Sequence, residues 1–326
     1  MNPPVLDISG LSIRFSGRTD PVLALREVGL SVQAGEIVGI VGESGSGKST
    51  LALAVMRLLA TGASVTAGSV RFEGKDILAL PEADMRKLRG AGMAMVFQDP
   101  MTALNPVLPI GTQMMDVLFR DPALSRADKR ARAVAALKRV GLPDAEQQLG
   151  RYLFQFSGGM RQRIAIAMAL LQRPRLLIAD EITTALDVTL EAQILDLLRD
   201  LRDEIGCSIL FISHNLGAIA AICDRTVVLY AGEVIEAGPT AKILGAARHP
   251  YTKALLACDP SRIEIPTRNL PVIPGEVPDL SAPPKGCIFA ARCPAALSRC
   301  VTHRPVKSLV GRDHSVRCHL IEGAAE

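Results

Sequence analysis

The amino-acid sequence predicts an α/β protein with a mostly parallel sheet, a helical segment inserted into it and a small second unit at the C-terminal end. Three observations carry this: short apolar runs alternate with helical patterns, the alternation stops between Gln98 and Gln172, and proline and charge change character near His249-Pro250. Ile37 to Val41, Leu176 to Ala179, Ile209 to Ser213 and Thr226 to Tyr230 are bounded by charges or glycine and read as strands buried on both faces. Met93 to Phe97 has the same character. Helical patterns such as Leu51 to Leu59 and Leu190 to Leu201 lie between strands, the order expected of a parallel sheet. Where the alternation stops, Ser125-Arg126-Ala127-Asp128 has the form of a capping box opening a basic helix through Val140. Its Lys129, Arg130, Arg132, Lys138 and Arg139 read as a solvated face rather than a nucleic-acid contact. There is no internal repeat.

With 326 residues the chain is long enough for two domains. Hydrophobic residues make up 48%, aromatics only 3%, and tryptophan is absent, so the core is aliphatic and the stacking platforms of a single-strand nucleic-acid binder are not expected. No apolar run approaches the roughly 20 residues that span a bilayer, and Asp7 interrupts the N-terminal stretch where a signal peptide is apolar; a cytoplasmic polypeptide is expected. Residues 1–247 hold 26 Lys+Arg and 26 Asp+Glu, whereas residues 248–326 hold 11 and 7. The same division separates 11 prolines from 10. The basic surplus reads as a solvated tail, with an anionic lipid surface or acidic partner as the alternative.

Gly42-Glu43-Ser44-Gly45-Ser46-Gly47-Lys48-Ser49-Thr50 fits the spacing G-x-x-x-x-G-K-[ST] between a buried strand and an aliphatic helix, the setting of a phosphate-binding P-loop. Its glycines let the backbone fold round an anion with N–H groups inward, and the helix N-terminus adds a favourable dipole. Lys48 is expected to reach the β- and γ-phosphates and Ser49 to offer a hydroxyl to Mg²⁺. A second pair of residues, Asp180-Glu181, ends the strand at Leu176, at the edge where open α/β sheets bind ligands. Asp180 suits Mg²⁺, and Glu181 suits a water in line with the γ-phosphate. Ser157-Gly158-Gly159 opens another apolar helix, a second cradle best explained by a nucleotide held on another subunit, or else an ordinary helix cap.

These segments, with Gln98 in FQDPMTALNP, Ala185-Leu186-Asp187 and the Ser213-His214 pair, stand in an order and spacing that resembles an ABC-type ATPase over residues 5 to about 245. The resemblance implies a P-loop NTPase nucleotide-binding domain at residues 5–248, with a helical subdomain at about 99–172, and ATP sandwiched between two such subunits. It implies that Gln98 senses Mg²⁺ and the attacking water and couples to a membrane partner, that Ser157 and Gly159 contact the opposite γ-phosphate, that His214 is the switch histidine, and that Asp187 communicates across the dimer. Phe15 is the candidate for stacking on adenine, against a core phenylalanine. FQDPMTALNP, SGGMRQR, TTALDVT and HPYTKALL resemble the subunits that energise oligopeptide and dipeptide importers. Implied partners are a second ABC ATPase subunit, expected to be a paralogue, two transmembrane permeases and an extracytoplasmic solute-binding protein, placing the chain on the cytoplasmic face of the inner membrane. Nickel chelates, glutathione and opines are alternative solutes, and a soluble ABC ATPase or a nucleotide-binding regulator are alternative roles. Three residues depart from the pattern: Ile182 stands for proline, Phe156 for leucine and Asn215 for aspartate.

The tail, residues 249–326, carries Cys287, Cys293, Cys300 and Cys318 in proline-rich sequence too poor in aliphatics for a core of its own. A metal centre is the natural staple for such a unit in a reducing compartment. Spacing leaves an iron–sulfur cluster, zinc and plain thiols open. The importer resemblance implies a [4Fe-4S] cluster on these four cysteines, with zinc as the alternative and His319 as its spare ligand. Cys207, Cys223 and Cys258 read as small buried hydrophobes.

Overall fold

The computed structural model describes residues 3–16, 20–119, 121, 123–184, 186–260 and 270–321; Ala185 lies outside them. Its strands are β1 (Leu6–Phe15), β2 (Val22–Val32), β3 (Ile37–Val41), β4 (Ala63–Phe72), β5 (Lys75–Asp76), β6 (Met93–Val96), β7 (Leu176–Asp180), β8 (Ser208–Ile212), β9 (Arg225–Tyr230), β10 (Glu233–Pro239), β11 (Lys307–Gly311) and β12 (His314–Arg317). The helices are α1 (Lys48–Val55), α2 (Glu82–Ala91), α3 (Pro100–Ala103), α4 (Ile110–Val117), α5 (Arg126–Arg139), α6 (Ala145–Gln148), α7 (Gly158–Leu170), α8 (Val188–Ile205), α9 (Leu216–Ile222), α10 (Thr240–Gly245), α11 (Pro250–Ala257) and α12 (Ser298–Thr302). The chain divides into two units, residues 1–33, 37–79 and 211–326 in the first and 34–36 and 80–210 in the second.

In the first unit, β2-β1-β4-β5 forms an antiparallel sheet. The expectation of a mostly parallel sheet is corrected here to mixed sheets. β1 buries Leu6, Ile8, Leu11 and Ile13 and leaves Ser9 and Arg14 to solvent, so it is a strand buried on one face, with polar residues breaking the apolar run that marks the others. β3 is buried at every residue and pairs parallel with β9, as its unbroken apolar run requires. Each Val or Ile buried there contributes about 1.5–3 kcal/mol. Beyond β9 the order continues through β10, β12 and β11, all antiparallel.

The second unit holds the parallel pair β6 and β7 and the long helix α8. Residues 100–170 contain α3 to α7 and, among the described residues, no strand. Ser125 caps α5: its hydroxyl accepts from the Asp128 N–H and the Asp128 carboxylate accepts from the Ser125 N–H, each at 3.1 Å. The box holds the Asp128 carboxyl below its usual range. Arg139, in the last turn of α5, pairs with Glu204 of α8.

The metal expectation for the tail is overturned. Among the described residues no group of three or more His, Cys, Asp or Glu is placed to hold a metal ion, and Cys287, Cys293, Cys300 and Cys318 are free thiols. Cys287, Cys300 and Cys318 are buried and Cys293 half-buried; burial pushes the Cys287 thiol up to about 12 and raises Cys293 as well. Neither the iron–sulfur nor the zinc reading fits these residues. The tail is held instead by strand pairing and buried ion pairs within the first unit. β12 hydrogen-bonds along β10. Glu236, fully buried, accepts from His314 Nε2 at 2.8 Å and from the N–H groups of Arg248 and His249 at 2.8 and 3.0 Å. Arg304 bridges Glu233 at 3.0 Å and Glu27 at 2.6 Å. Phe289 meets Tyr230 and Tyr251 edge-on, with ring centroids 5.2 and 5.4 Å apart.

His249 caps α11 with its Nδ1, which accepts from the Tyr251 N–H at 3.0 Å, and burial lowers its pKa from about 6.5 to about 3. The unfolded chain therefore binds a proton that the folded chain refuses, so the stabilisation is complete above pH about 6.5 and is lost as the pH falls toward 3. His249→Asn keeps a capping acceptor and removes the titration. Its urea midpoint is expected to fall less than the parent's between pH 7.5 and 4.5; equal falls would remove His249 as the cause.

Candidate nucleotide-binding site

The loop between β3 and α1 lies in the first unit. Gly47 caps α1 at φ +101°, with no side-chain cap on the helix, and the N-terminal end of a helix favours an anion. A Cβ at Gly47 would lie 2.6 Å from Leu25 Cδ2 and 2.9 Å from the Ala24 carbonyl oxygen, so only glycine makes this turn. Lys48 is 5% exposed and its ammonium donates to the carbonyls of Gly42 and Glu43 at 2.9 and 3.1 Å. Ser46 is buried with its hydroxyl lacking a partner, an orphaned polar atom inside the loop. Gly42 is buried, whereas Ser44, Gly45 and Ser49 face solvent and Thr50 is half-buried. An uncapped helix start, an orphaned hydroxyl and a buried ammonium fit a phosphate chain.

Glu43, in the same loop, is held by the chain itself. Its carboxylate is gripped by Arg292 Nη1 and Nη2 at 2.7 and 3.1 Å, and its N–H donates to the Tyr251 hydroxyl at 2.9 Å. Arg292 is held firmly protonated by that carboxylate. Sequence reading missed both residues. HPYTKALL was visible as a motif, but nothing local ties Arg292 to a loop 249 residues away.

Elsewhere in this unit, Ser213 and His214 follow β8, with Ser213 buried and His214 exposed. Asn215 caps α9, its Oδ1 accepting from Gly217 and Ala218 N–H groups at 2.8 and 3.3 Å, so the departure from aspartate keeps the cap acceptor. Phe15 ends β1 half-buried, between the register partners Val22 and Ala63.

In the second unit Asp180 is buried at the end of β7, and Glu181 follows with φ +49°, a left-handed backbone that residues other than Gly, Asn and Asp rarely adopt. The turn is fixed on one side by Ile182, 2% exposed, and on the other by the Thr184 hydroxyl, which donates to the Glu181 carbonyl at 3.0 Å. Ile182 thus anchors the turn through burial. Gln98 Nε2 donates to Glu181 Oε2 at 3.3 Å, bringing together two candidates 83 residues apart. Ser157 caps α7, accepting from the Met160 N–H at 3.4 Å, and Asp187 caps α8, accepting from Leu190 at 2.9 Å. Both caps are exposed, as is Gly158, while Gly159 packs so closely that a Cβ would lie 2.1 Å from Leu190 Cδ2. Phe156 is buried beneath the Arg151 guanidinium, 5.5 Å from its ring centroid.

A glycine-rich loop, an uncapped helix start and a buried lysine after a buried strand define a P-loop nucleotide-binding protein. The ABC transporter family matches residues 25–184, and the oligopeptide/dipeptide transporter C-terminal region matches residues 235–300. Over 98% of its length this chain is 48% identical to an Escherichia coli (strain K12) protein named for D,D-dipeptide transport ATP binding, covering 96% of that protein. A Brucella melitensis biotype 1 protein named for peptide import ATP binding is 46% identical, with 97% and 96% covered. Among solved structures, a dimeric ATP-binding cassette in a post-hydrolysis state with ADP and Pi superposes with a TM-score of 0.65 at 29% identity, covering 72% of this chain and 98% of that one. The chain belongs to the ABC transporter family of ATP-binding proteins.

Gly47→Ala places a side chain in a left-handed turn against the Ala24 backbone. It is expected to cost about 1–3 kcal/mol of stability and to abolish ATP binding, read by denaturant unfolding and equilibrium titration. Unchanged ATP binding would show that the loop does not need this turn.

Proposed function

We propose that this chain binds and hydrolyses ATP and uses it to energise import of dipeptides or oligopeptides. The observation that carries the reading is the P-loop itself, with Lys48 buried on the Gly42 and Glu43 carbonyls and an orphaned Ser46 hydroxyl beside it. The identity to transport ATP-binding proteins along nearly the whole chain supports the peptide assignment. Residues 5–248 form the nucleotide-binding domain and residues 249–326 its extension.

In this reading Gly42, Gly45 and Gly47 present N–H groups to the phosphates, Lys48 balances their charge, and Ser49 and Asp180 hold Mg²⁺ together with Gln98. The magnesium ion, when bound, neutralises charge on the phosphate oxygens. Glu181 accepts a proton from the attacking water, and the Gln98 amide orients its carboxylate through the bond already present. His214 contacts the γ-phosphate, and Phe15 stacks on adenine. Ser157, Gly158, Gly159 and Asp187 serve the nucleotide of a second ATPase subunit, a paralogue. No helix among the described residues is long and apolar enough to cross a membrane. In this reading translocation falls to two permease subunits, fed by an external solute-binding protein, with this chain peripheral on the cytoplasmic face.

Two variants separate binding from chemistry. Lys48→Ala is expected to abolish ATP binding, while Glu181→Gln keeps ATP and slows turnover at least about 100-fold. Normal turnover by Glu181→Gln would remove Glu181 from its role. For the second cradle, Ser157→Arg is expected to leave ATP binding by the isolated chain unchanged and to block hydrolysis in the assembled pair; loss of binding in the isolated chain would contradict a cradle that serves the other subunit.

A further inference from the structure

The P-loop is backed by residues that nucleotide chemistry does not use. Glu43 is held at three points: its N–H on the Tyr251 hydroxyl at 2.9 Å, its carboxylate in the Arg292 fork, and its carbonyl on the Lys48 ammonium at 3.1 Å. Arg292 is itself fixed, since Nε donates to the Pro274 carbonyl at 3.0 Å, Nη2 to the Ile273 carbonyl at 2.9 Å and Nη1 to the Tyr230 hydroxyl at 3.3 Å. Its side chain is only 5% exposed. The guanidinium also lies 5.7 Å from the Tyr230 ring centroid. A chain of contacts thus runs from the tail through Glu43 to the lysine of the loop.

Charge gives this arrangement a purpose. Glu43 is a carboxylate inside a loop that receives a polyanion, and a carboxylate left bare within a few ångströms of phosphate repels it. Arg292 neutralises that charge with a buried two-point contact, the geometry in which an arginine–carboxylate pair is strongest. We propose that Arg292 is a positioning residue for nucleotide binding, acting through Glu43 to neutralise the loop's own carboxylate and to fix the turn on which Lys48 rests. The C-terminal extension thereby sets the ATP affinity of a site in whose motif it has no residue. This rests on the reading of the loop as the ATP site.

The test is equilibrium binding of the fluorescent analogue mant-ATP, with Mg²⁺, to the full-length chain. Arg292→Met leaves Glu43 bare and is expected to weaken binding about tenfold. In turnover the loss falls on KM for ATP rather than on kcat, whereas mere loss of folded protein lowers kcat alone. Adding Glu43→Gln to Arg292→Met removes the bare charge, and the double variant is expected to return to within about threefold of the parent. Arg292→Lys keeps the charge without the fork; should Met at this buried position prevent folding, Lys is expected to weaken binding about threefold and to be rescued by the same Glu43→Gln change. Parent-like binding by Arg292→Met or Arg292→Lys, or a double variant no better than its single parent, overturns the proposal. A parent chain that fails to bind mant-ATP at all overturns the ATP reading beneath it.

Discussion

A phosphate cradle turns many of its backbone donors toward a ligand, so few are left to fix its own shape; in this loop the Ser46 N–H bonds back to the Glu43 carbonyl at 3.1 Å. Its shape has to be imposed from behind. Here that constraint organises the first unit: β3 supplies a rail buried at every residue, Leu25 and the Ala24 carbonyl close round Gly47, and Tyr251 and Arg292 hold Glu43. The mixed sheet continues into the tail through β12, and the tail returns Arg292 to the loop. Glu236 and Glu233 bind the same tail through His314 and Arg304, so the grip on the loop is part of a larger buried interface within this unit.

In the second unit, side chains at helix starts fix the helices they open. Ser157 and Asp187 each satisfy an N–H of the helix they open and each stand exposed. Glu181 pays for its position with a left-handed backbone, held by the burial of Ile182 and the Thr184 hydroxyl. Glu27, Arg57, Glu73, Asp144, Arg173 and Ala231 share a left-handed backbone, so it is the place of Glu181 beside the buried Asp180 carboxylate, not the strain alone, that marks this turn.

How much of this was legible in the sequence depended on whether a signal is local. β3, β7 and β9 announce themselves because strands buried on both faces leave unbroken apolar runs, and Ser125 announces α5 because a capping box is complete within four residues. β1 buries one face only, so Ser9 and Arg14 break its pattern, and the antiparallel sheet went unread. The P-loop was visible because phosphate binding fixes spacing along the chain. The tail misled because cysteine spacing counts thiols and carries no information on burial, which here raises Cys287 and leaves it packed as a small apolar group. Arg292 was invisible for the opposite reason: its partner lies 249 residues away, and a long-range ion pair leaves no periodicity.

Phosphate release by the assembled transporter tests the central claim most directly. This chain would be reconstituted with the permease subunits and the proposed second ATPase subunit in lipid nanodiscs, and the rate followed with Mg²⁺ and ATP as the solute-binding protein is added empty or loaded with peptide. The expected result is hydrolysis that rises several-fold with the peptide-loaded protein and disappears without nucleotide-binding competence in this chain. A rate indifferent to the loaded protein, at full ATP occupancy, would contradict a role in energising peptide import.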